Sequence, residues 1–398
     1  MRTYDAVVVG GRVAGASTAL LLARSGARVA LLERSAYGAD TLSTHGLMRA
    51  GVLQLSRWGL LDRVVAAGTP PIRTTTFLYG DQEPVHISIR PSPGVDALYA
   101  PRRTVLDRIL VDAASEVGVD VLHGTRVTEL LRDRAGRVSG VRARTPGGPR
   151  DLAARFVVGA DGIASSVAQQ VGAPLLREGR WGSAAQYAYY EGIGGTGYEW
   201  AYRDGVAAGL IPTGDGLSCV FVATSPQRMR TLRTGRSAED TFERVFGMAA
   251  PRYADRLAAA TRVGRQFGWA GRRGFVRRSW GPGWALVGDA GHFKDPISTH
   301  GITDALRDAE LLAGALLDAL TGIRDEATAL DAYQRRRDLL SAQLFQVSDE
   351  IAGYEWDSDQ VQPLLRRVSA AMIDEVEMLE SLTPAVPDRP GHPAPVWR

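Results

Sequence analysis

The sequence predicts an α/β fold with three parts: a parallel-sheet domain containing a βαβ unit, an antiparallel-sheet domain interleaved with it, and helices at the carboxyl end. The chain opens with an apolar strand, a glycine turn and an Ala/Leu-rich helix, and a second apolar strand then ends at Glu33. Residues 284–289 return to this style, whereas residues 176–280 hold short alternating runs with six aromatic residues between Tyr187 and Tyr202. The first pattern is typical of dinucleotide binding and the second of half-buried strands.

Hydrophobic periodicity assigns the other elements in chain order. We predict an amphipathic helix at 53–65, strands at 76–79 and 85–89, a helix at 105–117, strands at 120–122, 127–131, 138–142 and 156–160, and a long helix at 303–320. Further helices follow Asp331, and the last sixteen residues, which carry five of the twenty prolines, are expected to form an extended tail.

These patterns also set the predicted domain boundaries, since 398 residues are too many for one small core. The dinucleotide-binding domain comprises 1–72, 97–175 and 281–330, the second domain comprises 73–96 and 176–280, and helices at 331–382 and a Pro-rich tail at 383–398 follow.

The composition is that of an ordinary globular protein, with 45% hydrophobic and 23% charged residues. The net charge of +3 is spread along the chain, so we expect neither nucleic acid nor a membrane as a partner. Cys219, the single cysteine, can form neither an intramolecular disulfide nor a zinc cluster and is expected to be buried. With a strand starting near Met1 and no run of eighteen apolar residues, we expect no signal peptide, no transmembrane helix and a cytoplasmic protein.

The glycine turn departs from the usual G-x-G-x-x-G pattern. Gly10 and Gly15 are present, but Arg12 replaces the middle glycine, which normally allows close approach to the pyrophosphate. Either the loop lies further from the phosphates or the Arg12 side chain reaches them. Glu33 stands roughly twenty residues downstream, where an acid binds the ribose hydroxyls. A βαβ crossover without nucleotide is the alternative for this motif taken alone.

Two later motifs complete the pattern. The dipeptide Asp161-Gly162 follows an apolar strand, and Gly288-Asp289 precedes Pro296 and Gly301. With the opening turn, these motifs resemble the class A FAD-dependent aromatic hydroxylases, the para-hydroxybenzoate hydroxylase-like monooxygenases. The resemblance runs from residue 4 to about 320 and implies a Rossmann-like FAD-binding domain.

The resemblance implies FAD contacts at matching positions, namely Gly10, Val13, Ala14, Gly15, Glu33, Arg34, Arg49, Arg103, Val127, Asp161, Asp289, Pro296, Gly301, Ile302 and Thr303. Arg49 and Arg103 suit a pyrophosphate, with solvated arginines as the alternative. Asp289 would bind the ribityl chain or cap a helix, and Asp161 would serve FAD and the nicotinamide nucleotide or simply form a turn. The positive end of the helix opened by Gly301 would stabilise reduced flavin. The family commonly has Asn at the position of Thr303.

Candidate catalytic residues come from segments that the resemblance places near the flavin. His300, His45 and His292 are possible bases for a phenolic proton, with a structural histidine as the alternative, and His300 is preferred because it precedes Gly301. Pro296 would lie beside the isoalloxazine ring. Lys294, the only lysine, is expected to be solvated rather than bound to a phosphate.

Substrate-binding candidates lie in the antiparallel part of the chain. They are Tyr187, Tyr189, Trp200 and Pro212, because flat side chains stack on flat substrates and residues 209–213 resemble a family strand that covers the flavin. Core packing of the sheet explains the aromatic residues equally well.

The implied function is an FAD-dependent monooxygenase that uses NADH or NADPH and O2, through C4a-hydroperoxyflavin, to hydroxylate an aromatic or polycyclic small molecule, possible natural-product tailoring included. We expect no metal and a monomer or homodimer. Two alternatives stay open: an FAD-dependent dehydrogenase or reductase of an unsaturated or prenyl-type substrate, and a non-catalytic flavoprotein. A flavin halogenase is disfavoured, because its early lysine and its Trp-x-Trp-x-Ile-Pro segment are absent.

Overall fold

The computed structural model describes residues 3–381, and their strands and helices follow in chain order. The strands are β1 (Thr3–Val9), β2 (Val29–Leu32), β3 (Thr74–Tyr79), β4 (Val85–Ser88), β5 (Asp120–Leu122), β6 (Arg126–Arg132), β7 (Val138–Thr145), β8 (Gly148–Gly159), β9 (Leu175–Glu178), β10 (Ala184–Glu191), β11 (Tyr198–Arg203), β12 (Val206–Pro212), β13 (Leu217–Thr224), β14 (Thr261–Trp269), β15 (Phe275–Arg277), β16 (Trp280–Gly281), β17 (Trp284–Leu286) and β18 (His292–Phe293). The helices are α1 (Val13–Arg24), α2 (Arg49–Arg57), α3 (Leu61–Ala66), α4 (Arg103–Glu116), α5 (Ser166–Gln170), α6 (Pro226–Arg233), α7 (Ala238–Ala249), α8 (Ala254–Ala259), α9 (Gly301–Thr321), α10 (Glu326–Ala352) and α11 (Ser358–Ser381). Short 3-10 turns occur at Pro251–Tyr253, Gly288–Ala290 and Pro296–Ser298.

An eight-stranded sheet carries the glycine turn. Its central strands run β17-β8-β1-β2-β5 and are all parallel, whereas β16 and the β6-β7 hairpin add antiparallel partners. The apolar strands of the sequence thus lie side by side, covered by α1 and α4, and α9 packs on α1. Their carboxyl ends meet at one edge, where α/β folds bind ligands.

A seven-stranded sheet, ordered β14-β10-β13-β12-β11-β3-β4, forms the second layer. All its pairs are antiparallel except β11 with β3, which run parallel. One face packs on α7 through Tyr190 and Val220, and the other joins the core of the first domain through Tyr189 and Trp200. This second face therefore packs against the first domain.

The predicted α/β fold class is confirmed, with parallel and antiparallel sheets and helices after them. The domain boundaries stay a prediction, and the predicted tail at 383–398 lies outside the described residues. Cys219 is buried on β13, as predicted. Among residues 3–381, no helix is both long and apolar enough to cross a membrane.

Two sequence predictions of local structure were wrong. The single helix at 53–65 is two helices, α2 and α3, because Gly59 adopts a φ of 69° between them. The second domain also contains α6, α7 and α8, which the strand-like interpretation of 176–280 missed. In α7 the apolar spacing of Phe242, Val245, Phe246 and Ala249 is helical, so the signal was present in the sequence.

Candidate active site

The glycine turn after β1 is packed too tightly for side chains. Gly10 has a φ of 108°, and a Cβ added there would lie 2.3 Å from the carbonyl oxygen of Ala160. A Cβ at Gly15 would lie 1.8 Å from the carbonyl oxygen of Gly10. These contacts hold the turn against the end of β8, which brings Asp161 beside it.

The first turn of α1 offers free backbone donors. Arg12, the N-cap residue, makes no side-chain capping hydrogen bond, and Val13 and Ala14 follow it as the first buried residues of the helix. The Cβ of Ala14 lies 2.8 Å from where a Cβ of Gly288 would be. An anion bound here would meet the positive end of α1 and the Gly288-Asp289 turn together.

Glu33 joins β2 to the glycine turn. Its carboxylate accepts hydrogen bonds from the backbone N–H groups of Gly11 (2.7 Å) and Ser35 (2.8 Å). Val127 lies two residues beyond Thr125, whose N–H donates to the carbonyl oxygen of Glu33. Glu33 borders a small cavity that is also lined by Gly11, Arg12, Ser35, Tyr37, Asp107 and His123. Arg34 is exposed.

Arg12 and Arg103 converge on a residue that the sequence analysis did not single out. Asp107, on α4, accepts hydrogen bonds from Arg12 Nη1 (2.9 Å) and Arg103 Nε (3.0 Å). The Arg12 side chain thus points toward α4, where Asp107 lies one helical turn after Arg103. Arg49 instead donates to the Ser92 hydroxyl (2.9 Å) and to the carbonyl oxygen of Arg90. The spacing of Arg103 and Asp107, four apart on a helix, is the signal that could have revealed this ion pair.

Asp161 closes the turn after β8. Its carboxylate accepts from the backbone N–H groups of Ser166 (2.6 Å) and Val167 (3.2 Å) and from the Ser166 hydroxyl (2.9 Å). It therefore stabilises the first turn of α5 and fixes the loop that packs on Gly10.

Asp289 lies in an open cleft that is crowded by acidic groups. Its side chain is accessible to solvent, although protein atoms surround it on most sides. Desolvation by these atoms, together with the charge of Asp304, raises its pKa to about 7, while Arg103 opposes the shift. The carboxyl group is thus placed in a cleft where a hydrogen-bonding ligand would replace water.

Asp289→Asn is expected to raise the Tm of the flavin-free protein more at pH 8 than at pH 4. The folded pKa of Asp289 lies above its ordinary value of 3.8, so its contribution to stability is present below pH 3.8 and is lost as the pH rises through about 7. The asparagine amide does not ionise, so it causes no loss of stability over this pH range. Thermal unfolding at each pH measures the difference, and a gain independent of pH would contradict the shifted pKa.

The start of α9 is open on one side and tightly packed on the other. Pro296 and Gly301 are exposed, and a Cβ added to Gly301 meets no atom within 4 Å. Thr303 and the adjacent Ile302 are buried, and the Thr303 hydroxyl accepts a hydrogen bond from the backbone N–H of Met48 (3.2 Å). Open space therefore lies at the positive end of α9.

The loop before α2 connects this region to the second sheet. His45 has a φ of 66°, and its Nε2 is hydrogen-bonded to the Tyr189 hydroxyl. The Tyr187 hydroxyl accepts from the backbone N–H of Ser43 (3.1 Å). Burial, with the charges of Arg103 and Arg102, lowers the pKa of His45 to about 3. His45 is thus neutral and a weak base, and its Nδ1 has no hydrogen-bond partner among the described residues.

Aromatic side chains cover the face of the second sheet that packs on the first domain. Tyr187 stacks on Phe267 with ring centroids 4.7 Å apart, and Trp200 packs between Tyr198 and Phe221. Pro212 is the last residue of β12. Because strand residues alternate between faces, it lies on the same face as Leu210, which packs on α7.

A buried charge cluster lies behind the start of α9. Lys294 is ion-paired with Asp304 (2.7 Å), and Arg307 bridges Asp304 (2.9 Å) and Glu375 (2.6 Å). The Nε2 atom of His300 lies 2.6 Å from Glu375. We name these five residues the α9 charge cluster. His300, Asp304 and Glu375 offer atoms that could bind a metal ion. Lys294 already contacts Asp304, however, and Arg307 contacts both Asp304 and Glu375.

The expectation that Lys294 is solvated was wrong. Its side chain is 2% exposed, because Asp304 supplies a buried counter-charge ten residues downstream. His292, two residues before it, is also buried, and burial lowers its pKa. This side chain packs against Phe345.

The arrangement fits an extended dinucleotide. The cavity at Glu33, the tight turn at Gly10 and the open space at Gly301 follow one another along the carboxyl edge of the parallel strands. His45 Nδ1 is a buried nitrogen without a hydrogen-bond partner among residues 3–381. The FAD binding domain family matches residues 3–348. The chain belongs to this family. The predicted resemblance to class A hydroxylases is confirmed, and the protein is an FAD-dependent oxidoreductase.

Three relatives of this flavoprotein differ in their reactions. A 6-methylpretetramide 4-monooxygenase of Streptomyces rimosus is 28% identical over 392 residues, covering 96% of this chain and 90% of the relative. A digeranylgeranylglycerophospholipid reductase of Methanothrix thermoacetophila is 27% identical, covering 83% and 82%. A tryptophan 2-halogenase of Chondromyces crocatus is 24% identical, covering 89% and 70%.

Solved structures share the fold. The flavin-dependent brominase Bmp2 superposes with a TM-score of 0.79 at 19% identity, covering 95% of this chain and 99% of that one. PqsL of Pseudomonas aeruginosa, in complex with 2-aminobenzoylacetate, gives 0.78 at 23% identity, covering 92% and 100%. Aklavinone-11 hydroxylase, with FAD and aklavinone, gives 0.70 at 22% identity, covering 87% and 68%.

Proposed function

We propose that this flavoprotein is a monooxygenase that uses NADH or NADPH and O2 to hydroxylate an aromatic or polycyclic small molecule. The observation that carries the proposal is the aromatic face of the second sheet, which the loop before α2 links to the start of α9 through the His45–Tyr189 and Met48–Thr303 hydrogen bonds. The monooxygenase relative from Streptomyces rimosus supports it. FAD, when bound, supplies the redox chemistry, and the protein binds it, excludes water and orients the substrate.

Within this function, each group of predicted residues has a defined task. The turn at Gly10–Gly15 and the first turn of α1 bind the pyrophosphate, Glu33 binds the ribose, and Asp289 accepts a hydrogen bond from the ribityl chain.

Asp289→Ala removes the acceptor for the ribityl chain and is expected to weaken FAD retention. A variant that purifies with full flavin content would contradict the role of Asp289.

Tyr189 is placed to hold a substrate hydroxyl. Because its own hydroxyl is paired with His45 Nε2, the phenolic oxygen keeps a lone pair for a donor in the cleft. Arg102 lies over the Tyr189 ring at 4.3 Å. His45, neutral at pH 7, orients this hydroxyl rather than acting as a strong base.

Tyr189→Phe is expected to lower kcat/KM for a phenolic substrate by about tenfold or more, because a buried donor on the substrate is left unpaired. FAD content should not change. Tyr190→Phe is the matched control: it removes the same atom on the next residue, whose ring faces Phe242 on the opposite side of the sheet. Equal effects of the two substitutions would contradict the assignment.

The decisive experiment mixes anaerobically reduced protein with O2 and follows the flavin spectrum. A transient band distinct from reduced and oxidised flavin supports the monooxygenase, and a search among phenols and polyketides follows. Direct return to oxidised flavin, also with candidate aromatics present, favours the dehydrogenase or reductase alternative. The reductase relative from Methanothrix thermoacetophila is the observation in favour of that alternative.

A halogenase is a weaker candidate in spite of halogenase relatives. Lys294, the only lysine of the chain, is buried and ion-paired with Asp304 in the α9 charge cluster. Bromide or chloride added to the turnover assay tests this alternative directly.

A further inference from the structure

Three polar side chains of α10 contact the segment that leads into the Gly288-Asp289 turn. They are Tyr333, Gln334 and Arg337, which span about one turn of the helix. None of them belongs to a motif that the sequence analysis singled out. Their partners in this segment lie from β15 to β17, at residues 277–286, directly before the turn.

The Arg337 guanidinium is buried and holds two points of that segment. Its side chain is 0% exposed. Nη1 donates to the Ser279 hydroxyl, and Nη2 donates to the carbonyl oxygen of Arg277 (3.3 Å). Nε donates to the adjacent Asp338 (2.9 Å). Because a guanidinium is planar and carries its donors in a fixed fork, it fixes the relative positions of the groups that it joins.

The other two side chains hold the ends of the same segment. Gln334 Oε1 accepts a hydrogen bond from the backbone N–H of Ser279 (2.8 Å). The buried Tyr333 hydroxyl donates to the carbonyl oxygen of Leu286 (2.8 Å), the last residue of β17. The backbone N–H of Leu286 in turn donates to the carbonyl oxygen of Ser279 (2.8 Å). Ser279 and Leu286 are therefore fixed to each other and to α10.

These fixed residues hold the Asp289 turn on both sides. Only two residues separate Leu286 from Asp289. After the turn, the carbonyl oxygen of Gly291 accepts a hydrogen bond from the backbone N–H of Arg277 (2.8 Å). A Cβ added to Gly291 would lie 3.0 Å from Arg337 Nη1, so the chain that leaves the turn lies against the guanidinium. Helix α10 thus fixes the chain before and after Asp289.

We propose that Arg337 is a positioning residue for FAD: it fixes the Gly288-Asp289 turn, so that the Asp289 carboxylate is in place to accept a hydrogen bond from the ribityl chain. The inference rests on the proposed task of Asp289. The Asp289 side chain is exposed, so a ligand can reach it, whereas Arg337 is fully buried and acts only through the turn. A turn that is held in place before binding loses little conformational freedom when FAD binds.

The test compares the affinities of the flavin-free protein for FAD and for ADP, each by calorimetric titration. ADP carries the adenosine ribose and two phosphates but no ribityl chain, so its binding does not need Asp289. Arg337→Met removes every donor and is expected to weaken FAD binding by about tenfold, the effect of one weakened hydrogen bond to a charged group, and to leave ADP binding unchanged. Equal losses for both ligands would show general loosening and overturn the proposal, as would an unchanged affinity for FAD.

A double-variant cycle shows whether Arg337 acts through Asp289. If it does, Arg337→Met causes no further loss of FAD affinity in a protein that already carries Asp289→Ala. Additive losses overturn the proposal. If Asp289→Ala itself leaves FAD affinity unchanged, the proposed task of Asp289 and the positioning role both fail. If Asp289→Ala weakens binding and Arg337→Met does not, only the positioning role fails. Absent monooxygenase chemistry would leave these affinities standing.

Ser279→Ala keeps the proposal testable if Arg337→Met does not fold. It removes the hydroxyl that Arg337 contacts and leaves the guanidinium and its carboxylate in place. We expect FAD binding to weaken by about threefold, the effect of one neutral hydrogen bond, with ADP binding unchanged. An unchanged FAD affinity in this variant overturns the proposal.

Arg256→Met is the matched control for Arg337→Met. Arg256 also pairs with a carboxylate, that of Glu199 (2.7 Å), and donates to a carbonyl oxygen, that of Ile193 (3.0 Å). Glu199 lies on β11 of the seven-stranded sheet, so these bonds do not hold the Asp289 turn. The control should bind FAD and ADP as the wild type does. If it loses FAD affinity as Arg337→Met does, the effect is not specific to the turn and the proposal is overturned.

Discussion

Gly15→Val is expected to yield a folded protein that has lost most of its FAD affinity. The added Cβ would lie 1.8 Å from the carbonyl oxygen of Gly10, a contact that only movement of the turn can relieve. Such overpacking costs about 1–3 kcal/mol, which corresponds to about 5- to 150-fold in affinity if it displaces the N–H groups of α1. Equilibrium titration of the flavin-free protein with FAD measures the loss.

Gly247→Val serves as the control for this substitution. Gly247 lies within α7, where an added Cβ meets no atom within 4 Å. Its replacement should leave the FAD titration unchanged. If Gly15→Val binds FAD as tightly as this control, the turn does not contact the pyrophosphate.

Lys294→Met is expected to lower the free energy of unfolding by about 3–5 kcal/mol, because the buried carboxylate of Asp304 then shares the cation Arg307 with Asp308 and Glu375. Lys294 and Asp304 are 2% and 7% exposed and lie 2.7 Å apart. Burial would raise the pKa of Asp304, but Lys294 and Arg307 lower it far below its usual value. Urea unfolding of the flavin-free protein measures the change.

The double variant Lys294→Met with Asp304→Asn should recover part of the lost stability, because it also removes one of the buried carboxylates that Arg307 would have to neutralise. Arg335→Ala, which breaks the exposed ion pair with Asp331, should have almost no effect. Additive losses in the double variant would show that the two charges do not stabilise each other.

The sequence predicted the parts of the site that depend on local backbone geometry. Gly10 and Gly15 form the tight turn, Glu33 ends β2 beside it, and Gly301 opens α9, each within a short motif. The spacing within such a motif already places a backbone donor or a helix end. The spacing could not show that Arg12 and Arg103 both donate to the carboxylate of Asp107 on α4.

By itself, the sequence determined the α/β class and the βαβ unit with its glycine turn, because apolar periodicity and glycine turns act over a few neighbouring residues. FAD was implied by the resemblance to a known family rather than by periodicity. The tertiary structure alone decided which distant charges meet. Lys294 is buried because α9 presents Asp304 to it, and His300 contacts Glu375 because α11 folds back behind α9. Pairing of this kind depends on the packing of elements up to 75 residues apart, which periodicity along a single segment cannot encode.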